Sequence, residues 1–262
     1  FKAHLRLQKF PSALSDLDAA LSLDAGLRVA RTQRAGLLLS LGRCAESVSA
    51  FEELIRLDPA VAAKSGSDVG KKLPEARTCA EALHLADRAE GRGQWGVVRE
   101  QLGRALESQR AHLSAPLHVR RARAGLALGL AQEALLDSAA ALRLDAGIVE
   151  AYECRGQALY LLGEVGAAVS MAQQGLRRDP EHSGCMGLHK RLRRLQKLEQ
   201  EGDRLLARGD SRGAAEKFGA AAAVDATHPR VAPSLLVKRA KALRQHGDFL
   251  EAAKSAESAL RV

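Results

Sequence analysis

Three observations predict an all-α chain built from stacked helical hairpins. Apolar residues recur at three- and four-residue spacing in run after run, the period of a helix with one buried face. A glycine interrupts these runs at near-regular intervals, at Gly42, Gly93, Gly129, Gly163, Gly209 and Gly247. Small side chains hold a fixed distance from each glycine, as two closely approaching helices require.

The clearest unit is 29–59, VARTQRAGLLLSLGRCAESVSAFEELIRLDP. One periodic run ends at Leu41, Gly42-Arg43 breaks it, and a second run goes from Ala45 to Leu57. Asp58-Pro59 closes the second helix, because proline lacks the N–H and clashes with the preceding turn. A helical hairpin of about 34 residues with this pattern is the tetratricopeptide (TPR) signature. With an earlier turn near Gln8, the turn spacings are 34, 51, 36, 34, 46 and 38 residues. The expected fold is therefore a TPR helical-repeat superhelix, an α-solenoid of about seven helix-turn-helix repeats.

The packing positions follow the same register. The small residue of the first helix is Ala35, Ala86, Ala122, Gly156, Gly202 and Ala240 in successive repeats. The second helix supplies Ser47, Phe51, Leu54; Val98, Leu102, Ala105; Ala134, Ser138, Ala141; Ala168, Ala172, Gly175; Ala214, Phe218, Ala221; and Ala252, Ala256, Ala259. The closing proline is present at Pro59 and Pro180 and is replaced by Arg110, Ala146 and Ala226. Two spacings are long, and they place extra residues at 60–76 and 181–197. These joints divide the chain into a partial first block at 1–70, a second block of three repeats at 71–185, and a partial third block at 186–262. The chain opens in mid-repeat and stops inside a helix, so a piece of a longer protein is expected.

Composition narrows the function classes. Of 262 residues, 46% are hydrophobic but only 3% aromatic, so packing must rely on Leu, Ala and Val. The net charge is +9, yet the arginines are spread along the chain among Glu and Asp, which reads as a solvated helical surface. No run of about 18 uncharged apolar residues exists, so no membrane insertion is expected. No signal peptide is visible. The cysteines, Cys44, Cys79, Cys154 and Cys185, form no CxxC pair and have no histidine at ligand spacing. Neither a metal nor a cofactor is expected, and the cysteines leave the redox compartment open.

No constellation points to catalysis. Gly91-Arg92-Gly93 is a repeat turn, since no GK[ST] follows. His182 and His189 flank Cys185 at a helix junction. No nucleophile and base are paired, so the chain is read as a non-enzyme. The basic run 189–197, HKRLRRLQK, carries the stripe Leu188, Leu192, Leu195 and Leu198. It reads as a linker helix with one packed and one solvated face, without the aromatic partners that stack on bases. Nucleic-acid binding is not expected. Trp95 is expected to pack between helices.

TPR arrays bind peptides on a concave face lined mainly by the first helix of each repeat. One widespread device grips the acidic tail of cytosolic Hsp70 or Hsp90 with Lys, Arg and an Asn nine residues before the turn glycine. Those positions here are Gln33, His84, Arg120, Cys154, Gln200 and Lys238, and the chain contains no Asn at all. No such clamp is expected. In the first block the concave positions are Leu5, Arg6, Val29, Thr32 and Leu39, a mixture suited to loose capture of hydrophobic segments.

The run 27–59, LRVARTQRAGLLLSLGRCAESVSAFEELIRLDP, resembles a repeat of the DnaJ homolog subfamily C member 3 family. These are TPR co-chaperones of the endoplasmic reticulum lumen, also described as protein-kinase inhibitors. The segment 179–225, from DPEHSGC to GAAAAVD, is similar to that family's junction between its second and third TPR groups. The family's plan of nine repeats in three groups, with longer helical joints between groups, also fits both long spacings. On that plan the chain runs from inside the second repeat to inside the eighth.

The resemblance implies a non-enzymatic co-chaperone. Its first TPR group would bind unfolded or misfolded polypeptide clients, and a J domain would engage the lumenal Hsp70, BiP. A protein kinase is an implied further partner. No J domain lies in this chain, and His228-Pro229-Arg230 is a repeat junction rather than the J-domain His-Pro-Asp. Animal members carry a cysteine pair around the second joint. Cys185 stands at one of those positions and Gly175 ten residues earlier, so the pair is not carried over. The alternative is a TPR scaffold or adaptor for one protein partner, including a cytosolic J-domain co-chaperone of the subfamily C member 7 type.

Overall fold

A computed structural model describes residues 1–7, 9–63, 68–107 and 113–261. The early turn expected near Gln8 and the replaced proline at Arg110 lie outside the described residues. The helices are α1 (Lys2–Arg6), α2 (Phe10–Leu23), α3 (Arg28–Ser40), α4 (Cys44–Leu57), α5 (Ala60–Ala63), α6 (Asp68–Glu90), α7 (Trp95–Glu107), α8 (Ala115–Ala127) and α9 (Ala131–Leu144). They continue with α10 (Val149–Leu161), α11 (Val165–Arg178), α12 (Ser183–Ala207), α13 (Ser211–Ala222), α14 (Val231–His246) and α15 (Phe249–Arg261). Among the described residues there is no strand.

Five of the six turns close by the same hydrogen-bond device. Each of the six glycines named above has φ between 67° and 98°, a backbone conformation that a Cβ makes costly. The next residue's N–H then reaches back five residues: Arg43 to the Leu38 carbonyl, Gln94 to Ala89, Glu164 to Leu159, Asp210 to Leu205 and Asp248 to Leu243, all at 2.9–3.0 Å. This satisfies carbonyls that the helix end would otherwise leave open.

The junctions between hairpins have their own device. Asp24, Asp58, Asp145 and Asp179 each accept a hydrogen bond from the backbone N–H two residues later, at 2.7–3.2 Å. Such a side chain mimics a backbone turn and re-aims the chain for the next hairpin. Asp225 instead accepts the Tyr160 hydroxyl at 2.9 Å. Buried His228 does the local work there. Its Nδ1 accepts from the N–H groups of Arg230 and Val231, so Nε2 carries the proton and donates to the Tyr160 carbonyl at 2.8 Å.

The helices form two compact units. The first unit holds Phe1–Leu128 and Leu136–Ile148. In it, Phe10, Leu14, Leu17 and Leu38 make one core, and Leu39, Phe51, Leu54, Leu73 and Leu102 belong to a second. Ser47 Oγ donates to the Ala35 carbonyl at 2.8 Å, directly across the α3/α4 approach. Asp137 on α9 is nearly buried and binds Arg121 and His118 of α8. Trp95 is half-buried against the second core.

The second unit holds Gly129–Leu135 and Val149–Val262. Its core includes Leu188, Leu192 and Leu195 of α12, Phe218 of α13 and Leu235 of α14. The α12 stripe expected from the sequence is therefore packed, and Leu198 is half-buried beside it. The described part of the first joint from Asp68 onward, and the second joint from Ser183, extend into long first helices, α6 and α12, of 23 and 25 residues.

The small-residue register holds in both units. Ala35, Ala86 and Ala122 have no exposed surface, and Gly156 and Gly202 are buried. The last repeat departs from it: Ala240 is half-buried, Ala256 is exposed, and Ser255 is buried in its place. Helix α15 packs on α14, and the face turned to that neighbour runs through Ala252 and Ser255.

Two glycines of α12 should respond oppositely to substitution. A Cβ at Gly202 would meet the buried Phe218 ring at 2.7 Å, whereas one at Gly187 meets nothing within 4 Å. Gly202→Val should cost about 1–3 kcal/mol by overpacking. Gly187→Ala should stabilise by about 0.5–1 kcal/mol, since helical Gly restricts poorly. Urea midpoints of the two variants should move to opposite sides of the parent's.

Candidate functional site

The residues expected to hold clients lie on α1 and α3, and the structure separates them. Val29, the second residue of α3, has 68% of its surface exposed. Arg6 is exposed, and Leu5 is half-buried against the first core. Thr32 is half-buried, its hydroxyl donating to the Arg28 carbonyl at 3.0 Å. Leu39 corrects the expectation: it has no exposed surface and belongs to the second core. It sits four residues after Ala35, so both point along one helix face toward α4, and Leu39 cannot touch a client.

Exposed apolar side chains in this part of the chain lie instead at the junction of the first two hairpins. Leu23 is 90% exposed, Leu57 is 59% exposed, and Leu27 is also exposed. Arg28 binds the Asp58 carboxylate, which brings the start of α3 beside the end of α4. Arg31 donates to the Ala25 carbonyl at 2.7 Å and pairs with Glu53 at 2.9 Å. Val29, Leu23, Leu27 and Leu57 therefore surround ionic clips that fix the local backbone. A cleft of about 270 Å³ beside them is lined by Asp18, Leu21, Arg31, Arg34, Ala50 and Glu53. Its charges are paired with one another, Arg34 to Asp18 at 2.5 Å among them. Leu23 and Leu57 each precede the junction Asp at the end of their helices, a position whose third leucine, Leu144, is half-buried.

Two of the clamp positions are spent on internal ties. Arg120 pairs with Asp87 at 2.6 Å and Glu90 at 2.7 Å. Lys238 pairs with Glu199 at 2.7 Å and Asp203 at 3.2 Å. Cys154 is buried. These cations hold neighbouring first helices together.

The cysteines are not all unpaired. Cys44 at the start of α4 and Cys79 in α6 form a disulfide with Cα atoms 5.8 Å apart, and both are buried. It staples the second helix of one repeat to the first helix of the next. Cys154 and Cys185 are free and buried. Burial, and next the Glu153 carboxylate, push the Cys185 thiol up to about 11, so it is not a reactive thiolate. The His182 imidazole caps α12, accepting from the Cys185 N–H at 3.2 Å. Among the described residues no group of three His, Cys, Asp or Glu could hold a metal, and no helix is long and apolar enough to cross a membrane.

Comparison with known proteins agrees with the resemblance read from the sequence. No protein-family model matches the chain. It is 29% identical over 259 residues to DnaJ protein P58IPK homolog B of Oryza sativa subsp. japonica, covering 98% of this chain and 54% of the relative. It is 27% identical over 216 residues to DnaJ homolog subfamily C member 3 of Rattus norvegicus, covering 82% of this chain and 42% of that protein. The chain thus spans about half the length of the curated relatives it matches. Its fold superposes on the crystal structure of the P58(IPK) TPR domain with a TM-score of 0.74 at 21% identity, over 98% of this chain and 76% of that one. The fold is an all-α TPR solenoid.

Gly175 offers a sharp test of the α11/α12 geometry. A Cβ there would lie 3.5 Å from the Cys185 Cβ, at the short end of the range a disulfide spans. Gly175→Cys should oxidise with Cys185 to a second disulfide, leaving one free thiol, Cys154, after denaturation. Thiol titration and peptide mapping check this. Reducing Cys44–Cys79, which closes a 35-residue separation, should lower stability by about 3–4 kcal/mol on loop entropy.

Proposed function

We propose that this chain is the TPR region of a non-enzymatic co-chaperone that holds unfolded or misfolded polypeptides in the endoplasmic reticulum lumen. The observation that carries the reading is the apolar edge formed by Leu23, Leu27, Val29 and Leu57. These side chains stand exposed around a backbone fixed by Arg28–Asp58 and Arg31–Glu53. Exposed leucines on rigid supports give shallow, sequence-tolerant contacts of the kind an unfolded chain can use. Arg6 and the half-buried Leu5 and Thr32 stay in the proposed surface as secondary contacts. The similarity to proteins named DnaJ and P58IPK supports the co-chaperone role. Delivery to BiP would depend on a J domain outside these residues, and a protein kinase is a further proposed partner.

The Cys44–Cys79 bond supports the lumenal placement, because structural disulfides persist in oxidising compartments and are scarce in the cytosol. It also weighs against the cytosolic adaptor. That second reading draws on the charged cleft beside Arg31 and Arg34, which would suit one specific partner and lose it at high salt. We keep the block limits near residues 70 and 185 as a proposal for how the repeats group along the sequence; the core and the Cys44–Cys79 bond that cross the first limit, and the core that crosses the second, tie the flanking helices together there.

The test is suppression of aggregation of a chemically denatured client, followed by light scattering. The parent chain should suppress it at near-stoichiometric amounts, and Leu23→Glu/Val29→Glu should lose most of that effect while keeping its helical circular dichroism. Leu39→Glu should unfold the first unit instead, because it buries a charge. No suppression by the parent, or equal suppression by the double variant, would remove the client-holding reading. Four free thiols in protein taken from its own cell would remove the lumenal one.

A further inference from the structure

A groove of about 360 Å³ in the second unit carries a charge pattern that nothing above uses. It is lined by Gly187, Lys190, Arg191 and Arg194 of α12 and by Ala220, Ala223 and Val224 at the end of α13 and just beyond it. Gly187, Lys190 and Arg194 follow one another at spacings of three and four residues, and Arg191 lies four beyond Gly187, so they share one helix face. Lys190 and Arg194 are exposed. Neither has an ion-pair partner among the described residues. This contrasts with Arg28, Arg31, Arg34, Arg120, Arg121 and Lys238, all held by carboxylates. Arg191 is positioned from behind: it stacks over the Tyr160 ring at 5.1 Å and lies 4.0 Å from Asp225, whose same oxygen already accepts the Tyr160 hydroxyl. The floor is small and apolar, and Gly187 leaves it open, with nothing within 4 Å of a Cβ there.

We propose that this groove binds an extended acidic peptide segment of a partner protein, two carboxylates at alternate positions pairing with Lys190 and Arg194. The spacing carries the argument. Four residues of helix rise about 6 Å. Side chains on one face of an extended chain repeat every two residues, about 6.6 Å. An acidic–small–acidic triplet therefore matches the two cations in register, and its neighbours can turn a small apolar side chain onto Ala220, Ala223 and Val224. Arg191 adds a third positive charge at the rim. Nucleic acid is the poorer fit, because no aromatic face is open for a base: Tyr160 is covered by Arg191 and by His228, whose ring centroid is 4.3 Å away. The site is separate from the client edge and stands whether or not that reading holds.

The experiment is fluorescence anisotropy of the full chain with a labelled, acetylated and amidated peptide Gly-Asp-Ala-Asp-Ala-Asp-Gly. The blocked ends remove any contribution from a terminal carboxylate. Lys190→Glu/Arg194→Glu should weaken binding at least about tenfold. Arg193→Glu/Lys197→Glu, on exposed positions outside the groove, makes the same change in net charge and should alter it less than about twofold. Gly187→Leu should also weaken binding by filling the floor, with helical circular dichroism unchanged. Equal losses in both charge-reversal pairs would reduce the effect to net charge and overturn the proposal. No saturable binding, or tighter binding of a single-stranded oligonucleotide lost in the same Lys190/Arg194 variant, would overturn it as well.

Discussion

The whole structure depends on how closely the two helices of each hairpin approach. A side chain larger than alanine at the contact would hold them apart, and the positive-φ glycine between them would then aim the second helix wrongly. Ala35, Ala86, Ala122, Gly156 and Gly202 meet the first requirement, and Gly42 through Gly247 the second. Close approach also explains how so few aromatic residues suffice. Small contacts let leucines interdigitate, and the two fully buried rings, Phe51 and Phe218, sit at corresponding positions of their hairpins. Phe218 fills the space that Gly202 vacates. Stability is then a sum of many modest nearest-neighbour contacts, as expected of repeat proteins.

That constraint is also why the fold was legible in the sequence. Each turn glycine and each small residue is fixed by local geometry, so period and residue type suffice to find them. The candidate site was less legible. Leu39 and Val29 both belong to the first helix of a hairpin, but a helix has several faces. Leu39 shares the face of Ala35 and is buried, and only its register with that alanine reveals this. Leu23 and Leu57 end their helices, and their exposure depends on what the next hairpin covers rather than on the apolar period. Cys44–Cys79 was invisible for another reason. The two residues are 35 apart, about one repeat, and only the stacking of α4 on α6 brings them together.

Polar groups divide the same way. Six arginines of the first unit, Arg28, Arg31, Arg34, Arg77, Arg120 and Arg121, meet a carboxylate outside their own helix, and Asp137 shows how deep such pairing goes. Burial raises its proton affinity, yet the His118 and Arg121 hydrogen bonds outweigh that and hold its carboxyl below the usual range. A carboxyl so depressed stabilises the fold above its unfolded-state value and loses that contribution as the pH falls through the lower folded one. The Asp137 pairs therefore act as fixed clips between α8 and α9 at neutral pH.

These clips decide where binding can occur. In a TPR array the first helices offer their side chains to a ligand only if those side chains are otherwise free. Here Arg120 and Lys238 hold neighbouring helices together, and Cys154 is buried, so much of that surface is already committed. Recognition is pushed to features the stacking leaves over. In the first unit these are the junction leucines, Leu23 and Leu57, which the next hairpin leaves exposed. In the second unit they are Lys190 and Arg194, on the solvated face of a helix lengthened by the joint and beyond reach of the next hairpin's carboxylates. The two surfaces differ in chemistry, one apolar and one cationic. The first lies at a regular hairpin junction and the second on the helix that a joint lengthens, and each place leaves a different kind of side chain without a neighbour.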